Sequence, residues 1–379
     1  MFIFESPILK KMKKMKKIYL LLLLNSLIGI AQIPAGYYDT ATGTDYTLKT
    51  NLHNIIKNHT IVSGAPGYAN LWTTYQTSDR DVFTGAGYEN DNTIYDIYTE
   101  NPTGSAGECG FIYGTSQDTG SGGGSECQVY NREHIIPQSV FAQASPMRND
   151  AHFIPPTDKR VNALRADFPH GNVATASTTT NNGGKLGTSA VPGYVGTVFE
   201  PNPAFKGDIA RMYFYFATCY ENTVATYNYE MFNNTSNQVF NPVFLNMLIS
   251  WHQADPVSEF EITRNNAIYA RQGNRNPYID HPEYVCQIWT TQCTALSNED
   301  FADNKFSIYP NPSKGTFRID YDSSIGDINV EIYSTVGQKV FEKQNINDNT
   351  VSTSGLQTGV YFVKINKDSK SIVKKIVID

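Results

Sequence analysis

The chain has 379 residues, 40% of them hydrophobic and 17% charged, which excludes a disordered protein and leaves room for more than one folded unit. A formal net charge of −6 excludes a broadly basic surface, so a polyanionic ligand would have to be held by a local basic patch and a metal ion. The 24 tyrosines, with abundant Asn, Thr and Gly, point to a loop-rich extracellular surface.

Residues 1–31 read as a secretory signal: six lysines between Lys10 and Lys17, an apolar run from Ile18 to Leu24 and on to Ile30, and Ala31 before a polar chain. Its removal leaves 24 basic and 35 acidic residues, a net charge of −11. Asn25 and Ser26 interrupt the run, which disfavours a membrane anchor, and no later segment approaches a span of about 20 apolar residues. In an exported protein the close pairs Cys109/Cys127 and Cys286/Cys293 are candidate disulfides. Cys219 lies in an apolar helical pattern and reads as a buried free thiol. With no CxxC pair, the spacing gives no sign of a zinc site.

In chain order, Leu48, Leu52, Ile55 and Ile56 predict an amphipathic helix over Thr47 to His59. Residues 101–126, rich in Gly, Ser and Thr, predict a long loop, and Gly171 to Gly196 predicts loops with short strands. Asp208 is placed to cap a helix carrying Ile209, Met212, Tyr213, Phe216 and Tyr220. A second helix carries Phe244, Met247, Leu248 and Trp251. A third opens with the capping box Ser258-Glu259-Phe260-Glu261 and stops at Gly273. These describe a mostly helical body within an α+β domain over 32–297. A polar linker follows over 298–305, and from Phe306 short alternating runs such as Val330-Glu331-Ile332-Tyr333 predict a small β-sandwich over 306–379.

Three charged runs fall close together: Asn131-Arg132-Glu133-His134-Ile135-Ile136-Pro137-Gln138, Arg148-Asn149-Asp150-Ala151-His152 and Arg160-Val161-Asn162-Ala163-Leu164-Arg165. They suit a metal site beside a general base, as phosphodiester hydrolysis demands. A neutral imidazole can deprotonate water near neutral pH, and a hard cation held by few protein oxygens can neutralise charge on phosphate. Glu133 and Asn162 offer such oxygens. On a regular strand Glu133 and His134 would face opposite ways, so one shared site requires the strand to end or bulge, which Pro137 favours. Thr157 is placed to cap a helix whose Val161, Leu164 and Phe168 form an apolar stripe, with Asn162 and Arg165 on an adjoining face. A strand, a second strand near His152 and this helix would make a ββα unit. Plainer readings stand beside these: a structural hydrogen bond for His152, a local cap for Asp150, a solvent-facing Asn162, and an ion pair of Arg165 with Asp158 or Asp167. Arg211, Arg271, Arg275, His252 and His281 read as structural.

The run Glu133-His134-Ile135-Ile136-Pro137-Gln138-Ser139, then Asp150-x-His152 and Val161-Asn162-x-x-Arg165, resembles the bacterial endonuclease I family of periplasmic and extracellular nucleases. Phe199-Glu200-Pro201, Lys206-Gly207-Asp208-Ile209-Ala210-Arg211, Asp255-Pro256-Val257 and Gln272-Gly273-Asn274-Arg275-Asn276-Pro277 agree, so that the likeness spans residues 46–290. It implies a ββα-metal, or His-Me finger, nuclease cleaving DNA and often RNA with little sequence preference. His134 would be the general base and Glu133 and Asn162 would hold Mg2+, with Ca2+ or Mn2+ as alternatives; products would carry a 5′-phosphate. Asp150 and His152 would support the site. Phe153 stands where the family usually has Asn, and the short insert before Asp150 leaves the phosphate-clamping arginine without a clear counterpart; Arg148 and Arg165 are the candidates. The C-terminal sandwich resembles the type IX secretion sorting domain through Ile308-Tyr309-Pro310-Asn311-Pro312, Gly315, Leu356-x-x-Gly359-Val360-Tyr361 and Lys374-Lys375. That implies export across an outer membrane by the type IX machinery, to the surface or beyond, with the domain either kept or cleaved from the mature enzyme; the enzyme itself is expected to be a monomer. A non-catalytic adhesin and a phosphodiesterase for small substrates are the alternatives.

Overall fold

Leu48, Leu52 and Ile56 fall on one face of α1 (Asp45–Ile56) and all three are buried, which is the amphipathic geometry their spacing predicts. The computed structural model describes residues 33–61, 64–83, 90–101, 108–300, 306–322, 325–346, 349–352, 354–367 and 370–379. The expected signal segment lies outside them. The chain divides into two compact units between Ile288 and Trp289.

In the first unit α2 (Gly64–Ser78) precedes a two-stranded ladder of β1 (Tyr130–Arg132) and β2 (Pro156–Asp158), antiparallel with Asn131 opposite Thr157. The helix α3 (Lys159–Arg165) follows β2 directly and packs on both strands. An antiparallel sheet of β3 (Val173–Thr179), β4 (Lys185–Ser189) and β5 (Thr197–Glu200) comes next, with β4 central. The core gathers round α4 (Lys206–Cys219), in which every residue after Lys206 is buried. Against it pack α1 and α5 (Pro242–Ala254), while α6 (Glu259–Gln272) packs on α2. Helix α4 passes so close to the end of α5 that a Cβ on Gly207 would stand 2.2 Å from the Asp255 carbonyl oxygen, which only glycine tolerates.

The capping box Ser258/Glu261 and the left-handed C-terminal Gly273, at φ 79°, stand as the sequence predicts. Asp208 does not cap: α4 begins at Lys206, and Asp208 lies buried in its first turn, 3.3 Å from Arg211. Nor does Thr157 cap α3; it is buried in β2, and the Asp158 carboxylate accepts from the amides of Arg160 and Val161 instead. Phe168 lies beyond the end of α3, so the expected stripe reduces to Val161, with Arg165 buried beside it. The second strand is displaced from His152, which sits in a single 3-10 turn, Ala151–Phe153, capped by Asp150. Cys109 and Cys127 are bonded, Cys286 and Cys293 are also oxidised, and Cys219 is a buried free thiol.

In the second unit the helix α7 (Thr290–Asp300) covers the first residues of the expected linker. Beyond it one sheet has the order β10 (Thr350–Ser352), β7 (Thr316–Asp320), β6 (Ser307–Tyr309). The other has the order β12 (Lys370–Ile378), β11 (Gly359–Lys367), β8 (Ile328–Ser334), β9 (Lys339–Ile346). Alternate residues such as Phe317 and Ile319, Val330 and Ile332, and Val363 and Ile365 fill the core between them, as a strand period of two requires. Among the described residues no helix is long and apolar enough to cross a membrane.

Candidate active site

Strand β1 ends at Arg132, just before Glu133, yet the chain stays tethered to its neighbour: the amides of Glu133 and Ile135 donate to the carbonyls of Pro155 and Phe153 at 2.9 and 3.2 Å. Alternation therefore persists, and the side chains of Glu133 and His134 enter different surroundings.

Glu133, 2% exposed, accepts on Oε1 from the Tyr98 hydroxyl and from Arg165 Nη1, both at 2.9 Å. No described residue donates to Oε2. Burial raises its pKa to about 7, against the opposing pull of Arg165 and Tyr98, so the carboxylate is short of positive charge. Tyr98 meets His170 Nε2 at 2.8 Å, and Tyr213 meets His170 Nδ1 at 2.9 Å.

Arg165 is not at the surface. It is 1% exposed and every arm is committed: Nε to the Phe168 carbonyl, Nη1 to Glu133 and the His134 carbonyl, and Nη2 to the Ile135 carbonyl and the Tyr229 hydroxyl. Its partner is Glu133, not Asp158 or Asp167, and it has no arm to offer a phosphate; the expected clamp is a brace under the Glu133–Ile135 backbone.

His134 is buried, and its Nε2 lies 3.1 Å from the Arg148 carbonyl oxygen. A carbonyl only accepts, so the ring proton sits on Nε2 and the Nδ1 lone pair is free to take a proton. Burial, helped by the charges of Arg132, Arg148 and Arg165, lowers the imidazole pKa to about 3. Burial thus favours the neutral ring.

Around His134 the aromatics of α2 gather two arginines. The Tyr68 ring lies 5.9 Å from the His134 ring, with the Arg132 guanidinium 3.5 Å and the Arg148 guanidinium 4.8 Å from its centroid. Arg132 also lies 4.2 Å from the Trp72 ring. Among the described residues no carboxylate pairs with Arg132 or Arg148, and the Nε of each is buried without a hydrogen bond. A cleft of about 270 Å³ lined by Gly67, Asn70, Leu71, Asn149 and Arg271 among others borders the same stretch of α2. A second, of about 330 Å³, adjoins Pro137 but carries the acids Asp167 and Glu230, a poor lining for phosphate.

Asn162 is half-buried on α3, and its Nδ2 donates to the Arg132 carbonyl at 3.3 Å. Its amide thus sits at the end of β1, one residue from Glu133, and no described residue donates to its Oδ1. Asp150 is fully buried and accepts from Tyr215, Tyr220, Gln272 and the His152 amide. His152 Nε2 lies 3.1 Å from the Asn274 carbonyl. Both fix the loop that carries Arg148 and reach neither Glu133 nor His134. Arg211 with Glu261, and Arg275 with Asp280, form buried ion pairs, and His252 meets the Pro282 carbonyl, all structural as expected.

Sequence reasoning passes over Tyr68, Trp72, Tyr98, His170 and Tyr229. Tyr68 and Trp72 carry a signal, being four residues apart on one helix face; the other three meet the site only through the fold.

A buried imidazole, arginines over aromatic rings without a described carboxylate partner and two uncommitted side-chain oxygens suit a hydrolase of phosphodiesters. The chain belongs to the Endonuclease I family, whose model matches residues 44–283, and it is a nuclease. A Secretion system C-terminal sorting domain, of the type IX pathway, matches residues 307–379. The chain is similar to an extracellular ribonuclease of Bacillus subtilis (strain 168), 32% identical over 278 residues covering 70% of this chain and 84% of that protein. It is also similar to one of Bacillus amyloliquefaciens, 34% identical over 261 residues covering 67% and 78%. Family membership sets aside a non-catalytic adhesin.

Proposed function

We propose that this nuclease is a secreted, metal-dependent endonuclease that hydrolyses RNA and DNA with little sequence preference, His134 serving as its general base. The observation that carries the reading is the hydrogen bond from His134 Nε2 to the Arg148 carbonyl, which leaves an unprotonated Nδ1 beside two cations that lack carboxylate partners. His134 accepts a proton from water, the hydroxide attacks phosphorus in line, and the 3′-oxygen departs, leaving a 5′-phosphate. The approaching diester is an anion, so it raises the proton affinity of a base that is weak in its absence. Because the attacking oxygen comes from water, a 2′-hydroxyl is not required, and DNA serves as well as RNA.

Arg148 and Arg132 would hold the phosphate, since their guanidinium groups are stacked in place, Arg132 also tied by Nη1 to the Tyr68 carbonyl, with no carboxylate partner among the described residues, and the cleft along α2 would take the adjoining strand. Glu133 and Asn162 fit a hard divalent ion, Mg2+ with Ca2+ or Mn2+ as alternatives: both are oxygen donors with an oxygen no described residue occupies, and the Glu133 carboxylate lacks compensation. When bound, such an ion would neutralise charge on the phosphate and the leaving 3′-oxygen. Strands β1 and β2 with α3 would then be the ββα finger, and Arg165 the brace that positions Glu133. Residues 1–31 would direct export, the sandwich would deliver a monomer to the type IX machinery, and 32–297 would be the enzyme proper.

The test is digestion of plasmid and of RNA by the purified protein with and without chelator, beside His134→Ala. Both substrates should be cleaved only with the divalent ion, and the variant should lose about 10²–10⁴-fold in rate with an unchanged melting temperature. Cleavage in chelator, or full activity of the variant, would overturn the reading.

A further inference from the structure

Away from His134, the ligand atoms of His59, Asp150 and Cys219 lie within 4.8 Å of one another. His59 Nδ1 lies 3.0 Å from the Ile56 carbonyl, which places a ring proton there and leaves Nε2 on the far side of the ring. That Nε2 is buried without a hydrogen bond, on a side chain 2% exposed, and it faces Asp150 Oδ2 at 3.9 Å. In a dry interior that pair calls for positive charge between the two atoms, supplied either by a proton on Nε2 or by a bound metal cation. The Cys219 sulfur, 3.9 Å from Nδ1 of the same ring and within the 4.8 Å that spans the three ligand atoms, determines which cation suits.

We infer that His59, Asp150 and Cys219 form a structural zinc site distinct from the catalytic centre. One nitrogen, one oxygen and one sulfur donor select zinc over magnesium or calcium, which take oxygen alone. The hydrogen bond from His59 to the Ile56 carbonyl is the support that orients a metal-bound imidazole. Asp150 is held by Tyr215 at 2.8 Å and by Tyr220 at 2.7 Å, and the Tyr220 hydroxyl is at hand for the fourth position. Zinc bonds of about 2.0–2.3 Å require the donors to close by roughly 1 Å at their widest, a shift within reach of side-chain torsions.

The three residues come from the segment after α1, the loop of Asp150 and the last turn of α4. Bound zinc would pin that loop two residues from Arg148, whose carbonyl orients His134. The ligands are scattered through the chain, so no spacing motif announces them.

Full-length protein purified without chelator and analysed for metals should carry one zinc, or another transition ion, per chain. Cys219→Ser and His59→Gln should each weaken zinc binding at least tenfold. Cobalt exchanged into the wild-type protein should show a sulfur-to-metal charge-transfer band, a readout that does not depend on any variant folding. Wild-type protein that takes up neither zinc nor cobalt, a cobalt form without the sulfur band, or zinc affinity unchanged in either variant would overturn the site. Magnesium-dependent cleavage is read separately, so the zinc site and the catalytic reading stand or fall independently.

Discussion

Glu133 and Arg165 face each other with 2% and 1% of their side-chain surfaces exposed, so removing one leaves the other charged and unpaired in the interior. Burial opposes the Arg165 cation, and Glu133 outweighs it and raises the guanidinium pKa above its usual value. Arg165→Met should therefore cost about 3–5 kcal/mol in unfolding free energy measured with urea. Adding Glu133→Gln should recover part of that loss, since the stranded carboxylate goes with it. A single-variant cost under about 1 kcal/mol would mean that the pair is not the brace described. The sequence places Arg165 beside Asn162 correctly but aims it at solvent. The reason is physical: α3 stops at Arg165, Ala166 takes a left-handed φ of 49°, and the arginine turns inward to a partner that no helical spacing could reveal. The proposal for His134 can be made from sequence because Arg132, Glu133 and Arg148, on which it leans, stand close to it in the chain.

At the scale of elements, what periodicity encodes was legible, and what short contacts decide was not. The Ser258/Glu261 capping box satisfies two orphan amides of α6, so Ser258→Ala should cost about 1 kcal/mol, read as a lower melting temperature. An unchanged melting temperature would show the cap to be idle. By contrast β1 and β2 have three residues each, too few to display an alternation, and the 3-10 turns at Met147–Asn149 and Ala151–Phe153 give no pattern at all. Placing the second strand near His152 therefore failed by a few residues. Helix α5 also supplies a pH dependence. Burial, aided by the Arg211 charge, lowers the His252 pKa to about 4, below its unfolded value of about 6.5. Between those limits the unfolded chain binds more protons, so stability is full above the upper limit and lost as pH falls through the window. Unfolding free energy should fall by roughly 1–3 kcal/mol on acidification, and less in His252→Asn. Equal slopes in both proteins would contradict this.

For the whole molecule, the change of patterning near Ser297 announces the β-strands that follow, whereas the chain divides into two compact units earlier, between Ile288 and Trp289, and α7 extends to Asp300. The Cys109–Cys127 pair was legible because a loop that short closes readily; the His59, Asp150 and Cys219 cluster was not, because only the fold assembles it. A chain with a net charge of −6 must draw a polyanion to a small cationic patch against its overall field, which is why the proposed mechanism gives a divalent ion a central part. The most direct measurement is the cleavage rate of chelator-stripped enzyme against Mg2+ concentration for wild type, Asn162→Ala and His134→Ala. The expected result is that Asn162→Ala needs at least tenfold more Mg2+ for half-maximal rate. His134→Ala should keep the wild-type midpoint with a plateau lower by about 10²–10⁴-fold. A wild-type rate independent of Mg2+, or an Asn162→Ala midpoint equal to that of the wild type, would contradict the account.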